Sequence, residues 1–185
     1  MFSFSFKDRI ALHYIISTGL LISVVFFVIY QIIDHSVNTH INEDIMDEVS
    51  KHLEEIEIDP NDTYLIQVDQ WRAREHNTVN VNPVFVQFFD INNQLIDKSP
   101  NLKGLQLKMY ATKLDNKFID TYLNEKPIRQ IQVPLLDKNK VIGYLFIAMS
   151  LDDATMILKN LQDTLLVFFP IILLVLFLIA RLIAG

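Results

Sequence analysis

Two stretches without a single formal charge constrain this chain more than anything else in it. From Ile10 to Ile33, 24 residues pass without Asp, Glu, Lys or Arg, and from Thr164 to Ala180 there are 17 more. At about 1.5 Å per residue, helices of these lengths reach roughly 36 and 26 Å, against a bilayer hydrocarbon core of about 30 Å. Fourteen of the second run's 17 residues are Leu, Ile, Val or Phe. Their insertion free energies, around −0.3 to −0.6 kcal/mol each, outweigh Thr164 and Pro170. Two membrane spans are expected, one at residues 10–33 and one within 161–185. The first is too long for the apolar region of a cleaved leader, and no A-x-A-like site follows Tyr30, so it reads as an uncleaved anchor. His13 falls near the edge of that span, where interfacial water can hydrate it.

The flanking charges set the expected orientation. Lys7 and Arg9 precede the first span, and Arg181 follows the second. The positive-inside bias then keeps both ends in the cytoplasm, with Arg9 and Arg181 as headgroup anchors, and puts residues 34–160 outside. That outer segment holds 20 acidic and 13 basic residues, a formal charge of −7. Such a balance disfavours nucleic acid and anionic lipid as partners. The chain has no cysteine, which excludes disulfides and thiolate metal sites.

Beyond the first span, Val37, Ile41, Ile45, Val49, Leu53 and Ile56 recur at a mean spacing of 3.8, with polar residues between them. No Gly or Pro intervenes from Ile33 to Ile58, so the spacing predicts one helix running outward until "DPND" (Asp59–Asp62) breaks it. Nothing in the sequence covers the first turns of this helix, and the stripe of Val37, Ile41, Ile45 and Val49 is expected to make a parallel dimer contact, with the exit helix before Leu165 as the other possible cover. "TYLIQVDQWRAREHNTVNVN" predicts a short helix or irregular cover. "PVFVQFF" is apolar on both faces and reads as a central strand, "DINNQ" as a turn and "LIDKS" as its partner. "NLKGLQLKMYATKL" predicts one or two short helices, and a strand is expected near Lys117–Leu123. "IRQIQVPLL" alternates, placing Arg129, Ile131, Val133 and Leu135 on one face, and "VIGYLFIAMS" reads as another strongly apolar strand. Ser150 with Asp153 three residues later predicts the start of a helix that runs into the second span. The expectation is an α/β membrane protein, in which two membrane helices flank an antiparallel-sheet domain of about 125 residues, enough for one modest core.

Catalytic motifs are missing. The four glycines, Gly19, Gly104, Gly143 and Gly185, cannot build a phosphate loop, and there is no H-E-x-x-H, G-x-S-x-G or Cys nucleophile. No cofactor is expected in these 185 residues. His35, His40, His52 and His76 lie in the outer segment, and His40 with Asp44 stands one helical turn apart. That pair suits Zn or Cu, but acidic helices also carry such residues simply as solvated side chains. "QWRAREHN" gathers Trp71, Arg72, Arg74 and His76, an aromatic plate with guanidinium donors that fits an anionic or planar ligand. The simpler reading, which is favoured, is that Trp71 caps the core while the arginines pair with nearby carboxylates. Asn61-Asp62-Thr63 matches a glycosylation sequon, a pattern common by chance.

The succession of a short tail (residues 1–9), a span (10–33), an outward helix, a sheet domain (34–160) and a second span (161–185) resembles the input half of a bacterial sensor histidine kinase. "VFVQFFDINNQLIDKS" looks like the first two strands of a PAS-like (Cache-like) sensor domain. "IRQIQVPLLDKNKVIGYLFIAMSL" is similar to its last two strands and the start of the exit helix, and "FLIARLIAG" to the junction with a HAMP linker. The resemblance implies a homodimer in the inner membrane that detects an unidentified extracytoplasmic ligand. It implies a kinase module, absent from this chain, that uses ATP and Mg and passes phosphate to a response regulator. Two other classes fit the same pattern. One is the input half of a chemoreceptor or cyclic-dinucleotide enzyme, and the other is an envelope assembly factor whose outer domain binds protein.

Overall fold

Between Phe6 and Glu55 nothing breaks the helical ladder, and the computed structural model, which describes residues 6–58, 64–66, 83–111 and 115–184, carries one helix, α1, across those 50 residues. It stops short of the Ile58 that hydrophobic spacing predicts. Ile56–Ile58 is instead a strand, β1, paired antiparallel with β2 (Tyr64–Ile66). The alternating Ile-Glu-Ile sequence satisfies period 2 as well as period 3.6, and its β-branched ends favour the extended state.

Five further strands form one antiparallel sheet: β3 (Val84–Asp90), β4 (Leu95–Lys98), β5 (Ile119–Leu123), β6 (Lys126–Asp137) and β7 (Lys140–Ser150). Their order is β4-β3-β7-β6-β5, so the first and last strands of the sheet are neighbours. Each hairpin rests on a local device. Asp90 Oδ1 accepts the Asn92 and Gln94 N–H groups at 2.9 and 2.6 Å, and Asn93 takes φ 63°, which asparagine tolerates. Both central residues of the β5–β6 turn (Asn124, Glu125) and of the β6–β7 turn (Lys138, Asn139) have positive φ, the mark of tight turns that match strand twist. Of the one or two short helices predicted in "NLKGLQLKMYATKL", the described residues show one short 3-10 helix, Pro100–Leu102, which gives way to a strap without regular structure over residues 105–111. Gly104 and the lack of helical periodicity in "LQLKMYA" leave no helix to nucleate.

The sheet buries both faces. On one, Ile45 and Val49 of α1 pack against Val86, Phe88, Ile131, Val133, Leu135, Leu145 and Ile147, with Ile41 beside them. Ile45 and Val49 are 0 and 2 % exposed. The stripe expected to meet a second chain is therefore covered, over these residues, by the chain's own sheet. On the other face Phe89, Leu102, Leu107, Leu123, Ile128, Phe146 and Ala148 form a second cluster.

The strap crosses this second face and takes its hydrogen bonds from glutamines rather than from a neighbouring strand. Leu107 N–H donates to Gln87 Oε1 at 2.7 Å, and Tyr110 N–H to Gln132 Oε1 at 3.0 Å. Gln130 Nε2 donates to the Lys108 carbonyl, and Gln132 Nε2 to Asp115 Oδ1 at 2.6 Å. Ser99 and Asn101 do the same work where β4 ends. The Val86 N–H donates to Ser99 Oγ at 3.0 Å, and Asn101 Nδ2 to the Val84 carbonyl at 2.7 Å. Buried backbone groups need partners, and here side chains supply them.

The chain divides into two compact units, Asn38–Thr155 and a helical unit made of Met1–Val37 with Met156–Gly185. Helix α2 (Asp152–Ala184) follows β7 after Leu151. Its start is a partial cap, because Ser150 Oγ accepts the Asp152 N–H at 3.1 Å. Within the helical unit, Gly19 lies against Leu173, and a Cβ at Gly19 would stand 3.3 Å from its Cδ2. Phe26 meets Phe169 edge to face at 6.3 Å. These contacts run α1 and α2 antiparallel. Ser17, Thr18, Ser23 and Thr164 donate their hydroxyls to carbonyls three or four residues earlier, so these four groups need no water. Among the described residues, these two helices are long and apolar enough to cross a membrane, and 6 and 0 % of their most apolar windows is buried by the chain. Pro170 lies inside α2 and supplies no N–H to its ladder.

Candidate functional site

At one end of the second sheet face the strap and its 3-10 helix fail to close completely over the strands. The opening is a cleft of about 490 Å³ within the sheet unit. Its apolar wall is Pro83 and Phe85 ahead of and on β3, Leu102 of the 3-10 helix, Leu105, Leu123 of β5 and Ile128 of β6. Asn101, Lys103, Asn124, Lys126, Ser150, Asp152 and Asp153 supply its polar lining. Sequence distance between these groups is large, and the sheet order brings them together. β5–β6 carries Leu123 through Ile128 to the cleft, β7 ends there at Ser150, and the first turn of α2 adds Asp152 and Asp153.

Several of these polar groups already have duties. Ser150 caps α2, and Asn101 also accepts the Ser99 hydroxyl at 2.6 Å. Leu151 N–H donates to the Pro127 carbonyl at 2.9 Å, tying the start of α2 to the β5–β6 hairpin. Lys126 Nζ stands 3.8 Å from Asp152 Oδ2, a loose pair whose side chains are 67 and 47 % exposed. Such a pair contributes little to stability and opens easily. The cleft thus combines an apolar floor with a mixed-charge rim, a composition suited to a small ligand.

A second polar constellation joins the sheet to α1. Arg129 donates to both carboxylate oxygens of Asp120, at 2.6 and 2.9 Å. The same guanidinium reaches Asn38 Oδ1 at 2.9 Å, the Asn38 carbonyl at 3.3 Å and Asn42 Oδ1 at 3.0 Å. This fork holds the Asn38–Asn42 turn of α1 against β5 and β6, and only arginine offers donors in that geometry. Farther along α1, Glu48 and His52 are buried side by side, with His52 Nε2 3.4 Å from Glu48 Oε1 and the imidazole edge-on to Phe88. Hydrogen bonding to His52, then to Lys51, holds the Glu48 carboxyl down at about 2 despite its burial.

The residues singled out from sequence fall elsewhere. Trp71, Arg72, Arg74 and His76 lie outside the described residues, as does the Asn61-Asp62-Thr63 sequon. His40 Nε2 and Asp44 Oδ2 are 3.7 Å apart on exposed α1 surface, and no group of three metal-ligating side chains exists among the described residues. Val37 and Ile41 are half-buried beside the covered Ile45 and Val49. Arg9 lies near the start of α1 and Arg181 in the last turn of α2. The cleft residues escaped sequence reading because none belongs to a catalytic or ligand-binding motif, Ser150 and Asp153 being legible only as a helix start. The glutamines gave a misleading signal, since alternation in "IRQIQVP" reads Gln130 and Gln132 as a solvent face, yet they are 0 and 2 % exposed.

No protein-family model matches the chain, and no curated protein is significantly similar to it.

Proposed function

We propose that this chain is the sensing and transmembrane-signalling part of a sensor histidine kinase, with the outer unit a PAS-like domain. In this reading residues 1–9 lie in the cytoplasm, α1 and α2 cross the inner membrane, and the sheet unit lies outside. An unidentified extracytoplasmic stimulus alters the outer unit, and α2 carries the change inward to a kinase module that holds ATP and Mg and serves a response regulator. The five-stranded antiparallel sheet, with its first and last strands adjacent and a long helix on one face, supports the resemblance.

One observation carries the reading. The cleft is walled partly by Asp152 and Asp153, the first turn of α2, and α2 is the same 33-residue helix that forms the second apolar span. Occupancy of the cleft bears directly on the start of that helix, and a ligand shifts a two-state element only by contacting it differently in the two states. The test joins residues 1–185 to the cytoplasmic half of a characterised sensor kinase and reads reporter output. Leu105→Trp, which fills the cleft from its exposed rim, is expected to move basal output by about three-fold or more. Leu136→Trp, on exposed β6 surface away from the cleft, is expected to leave it unchanged. Equal output from wild type and both variants would remove the support for this reading.

A further inference from the structure

We propose that the cleft binds a free α-amino acid with a large apolar side chain. Its carboxylate would meet Lys103 and Lys126 and its ammonium Asp152 and Asp153. The proposal rests on the reading of the outer unit as a sensor and names what it senses.

The rim carries two cations and two anions around one opening. A ligand with one net charge is drawn to one pair and repelled by the other, and it leaves that other pair partly desolvated without a partner. A ligand bearing both charges a few ångströms apart answers both pairs at once. Lys126 Nζ and Asp152 Oδ2, at 3.8 Å, mark where the two signs face each other. Their exposure lets the pair spread to admit an ammonium and a carboxylate between them. Behind the rim, Phe85, Leu102, Leu123 and Ile128 offer an apolar floor, and a volume of about 490 Å³ accommodates an aromatic or branched side chain.

Lys103 supplies an independent observation. Its backbone lies at φ 51° and ψ −116°, a region that side chains avoid and glycine enters freely. Strain of this kind collects at functional sites, where the side chain is needed in spite of the backbone. Folding alone would place glycine there, whereas a ligand's carboxylate gives the lysine a reason to remain.

The experiment uses the full chain in nanodiscs of zwitterionic lipid, titrated calorimetrically with L-phenylalanine, phenethylamine and 3-phenylpropionate. The last two each lack one of the two charges. L-Phenylalanine is expected to bind at least about ten-fold tighter than either analogue. Lys126→Gln and Asp152→Asn are each expected to lose about ten-fold in affinity while keeping the wild-type unfolding temperature. Lys103→Gly is expected to raise that temperature and yet weaken binding, a combination that a purely structural role does not produce. Equal affinity for the three compounds, no binding of L-phenylalanine at about 10 mM, or wild-type affinity in all three variants would overturn the proposal. Should Leu105→Trp still move the output of the kinase fusion in that event, the ligand class falls and the sensor reading stands.

Discussion

Glu48 shows how one residue on α1 connects the apolar stripe to solution conditions. It is 9 % exposed on a helix face that also buries His52, and its carboxyl sits at about 2 instead of 4.5, chiefly through His52 and secondarily through Lys51. A carboxylate whose folded value is depressed stabilises the fold fully above its unfolded value and loses that contribution as pH falls toward the folded one. The window therefore runs from about pH 4.5 down to 2, and the contribution is on the order of 3 kcal/mol at neutral pH. Glu48→Gln is expected to lower stability at pH 7 and to flatten the stability curve across that window. Denaturant unfolding of the full chain in detergent at a series of pH values measures both. A variant curve with the same slope as wild type between pH 4.5 and 2 would show that Glu48 is not the group responsible.

Among the elements, legibility followed how many neighbours each sequence had to anticipate. Strands β3, β6 and β7 could be read because alternation, strand ends and turn residues such as Asp90 and Asn93 are local properties. The end of α1 was misplaced because "IEI" satisfies two periods and its pairing with Tyr64–Ile66 decides between them. The strap was misread because its hydrogen bonds go to Gln87, Gln130 and Gln132, 20 to 22 residues away in sequence, and no local rule announces such partners. The cleft is the extreme case, since it exists only where four separated segments meet.

The outer stripe of α1 teaches the same lesson. Its hydrophobic spacing correctly announced a buried face, but burial against a second chain and burial against the sheet have the same signature. With Ile45 and Val49 sealed by β3, β6 and β7, single cysteines placed there are expected to react with an aqueous maleimide at least about ten-fold more slowly than cysteines at Asp47 or Ser50. Chain-to-chain disulfides at 45 or 49 under mild oxidation would mean that α1 leaves the sheet, contrary to this packing.

At the scale of the whole molecule, orientation ties the parts together. The apolar windows of α1 and α2 are almost wholly uncovered by protein, which a chain in water tolerates poorly and a bilayer accepts. The two helices pack antiparallel through Gly19 with Leu173 and Phe26 with Phe169, so the start of α1 and the finish of α2 lie toward the same end of the helical unit. Lys7 and Arg9 near the start of α1 and Arg181 in the last turn of α2 lie toward that shared end, which the positive-inside bias is expected to keep in the cytoplasm. An export-dependent reporter fused after Tyr110, within the strap of the sheet unit, is therefore expected to be active, and the same reporter fused after Gly185 inactive. A reporter that requires the cytoplasm should give the opposite pair. Reversing the local charge, with Lys7→Glu and Arg9→Glu together, is expected to raise the share of inverted molecules and so the export-dependent signal at Gly185. An active export-dependent fusion at Gly185 in the unaltered chain would overturn the paired-span arrangement. The cleft would then no longer share a membrane-crossing helix with the cytoplasm, and the route from ligand to kinase would be lost.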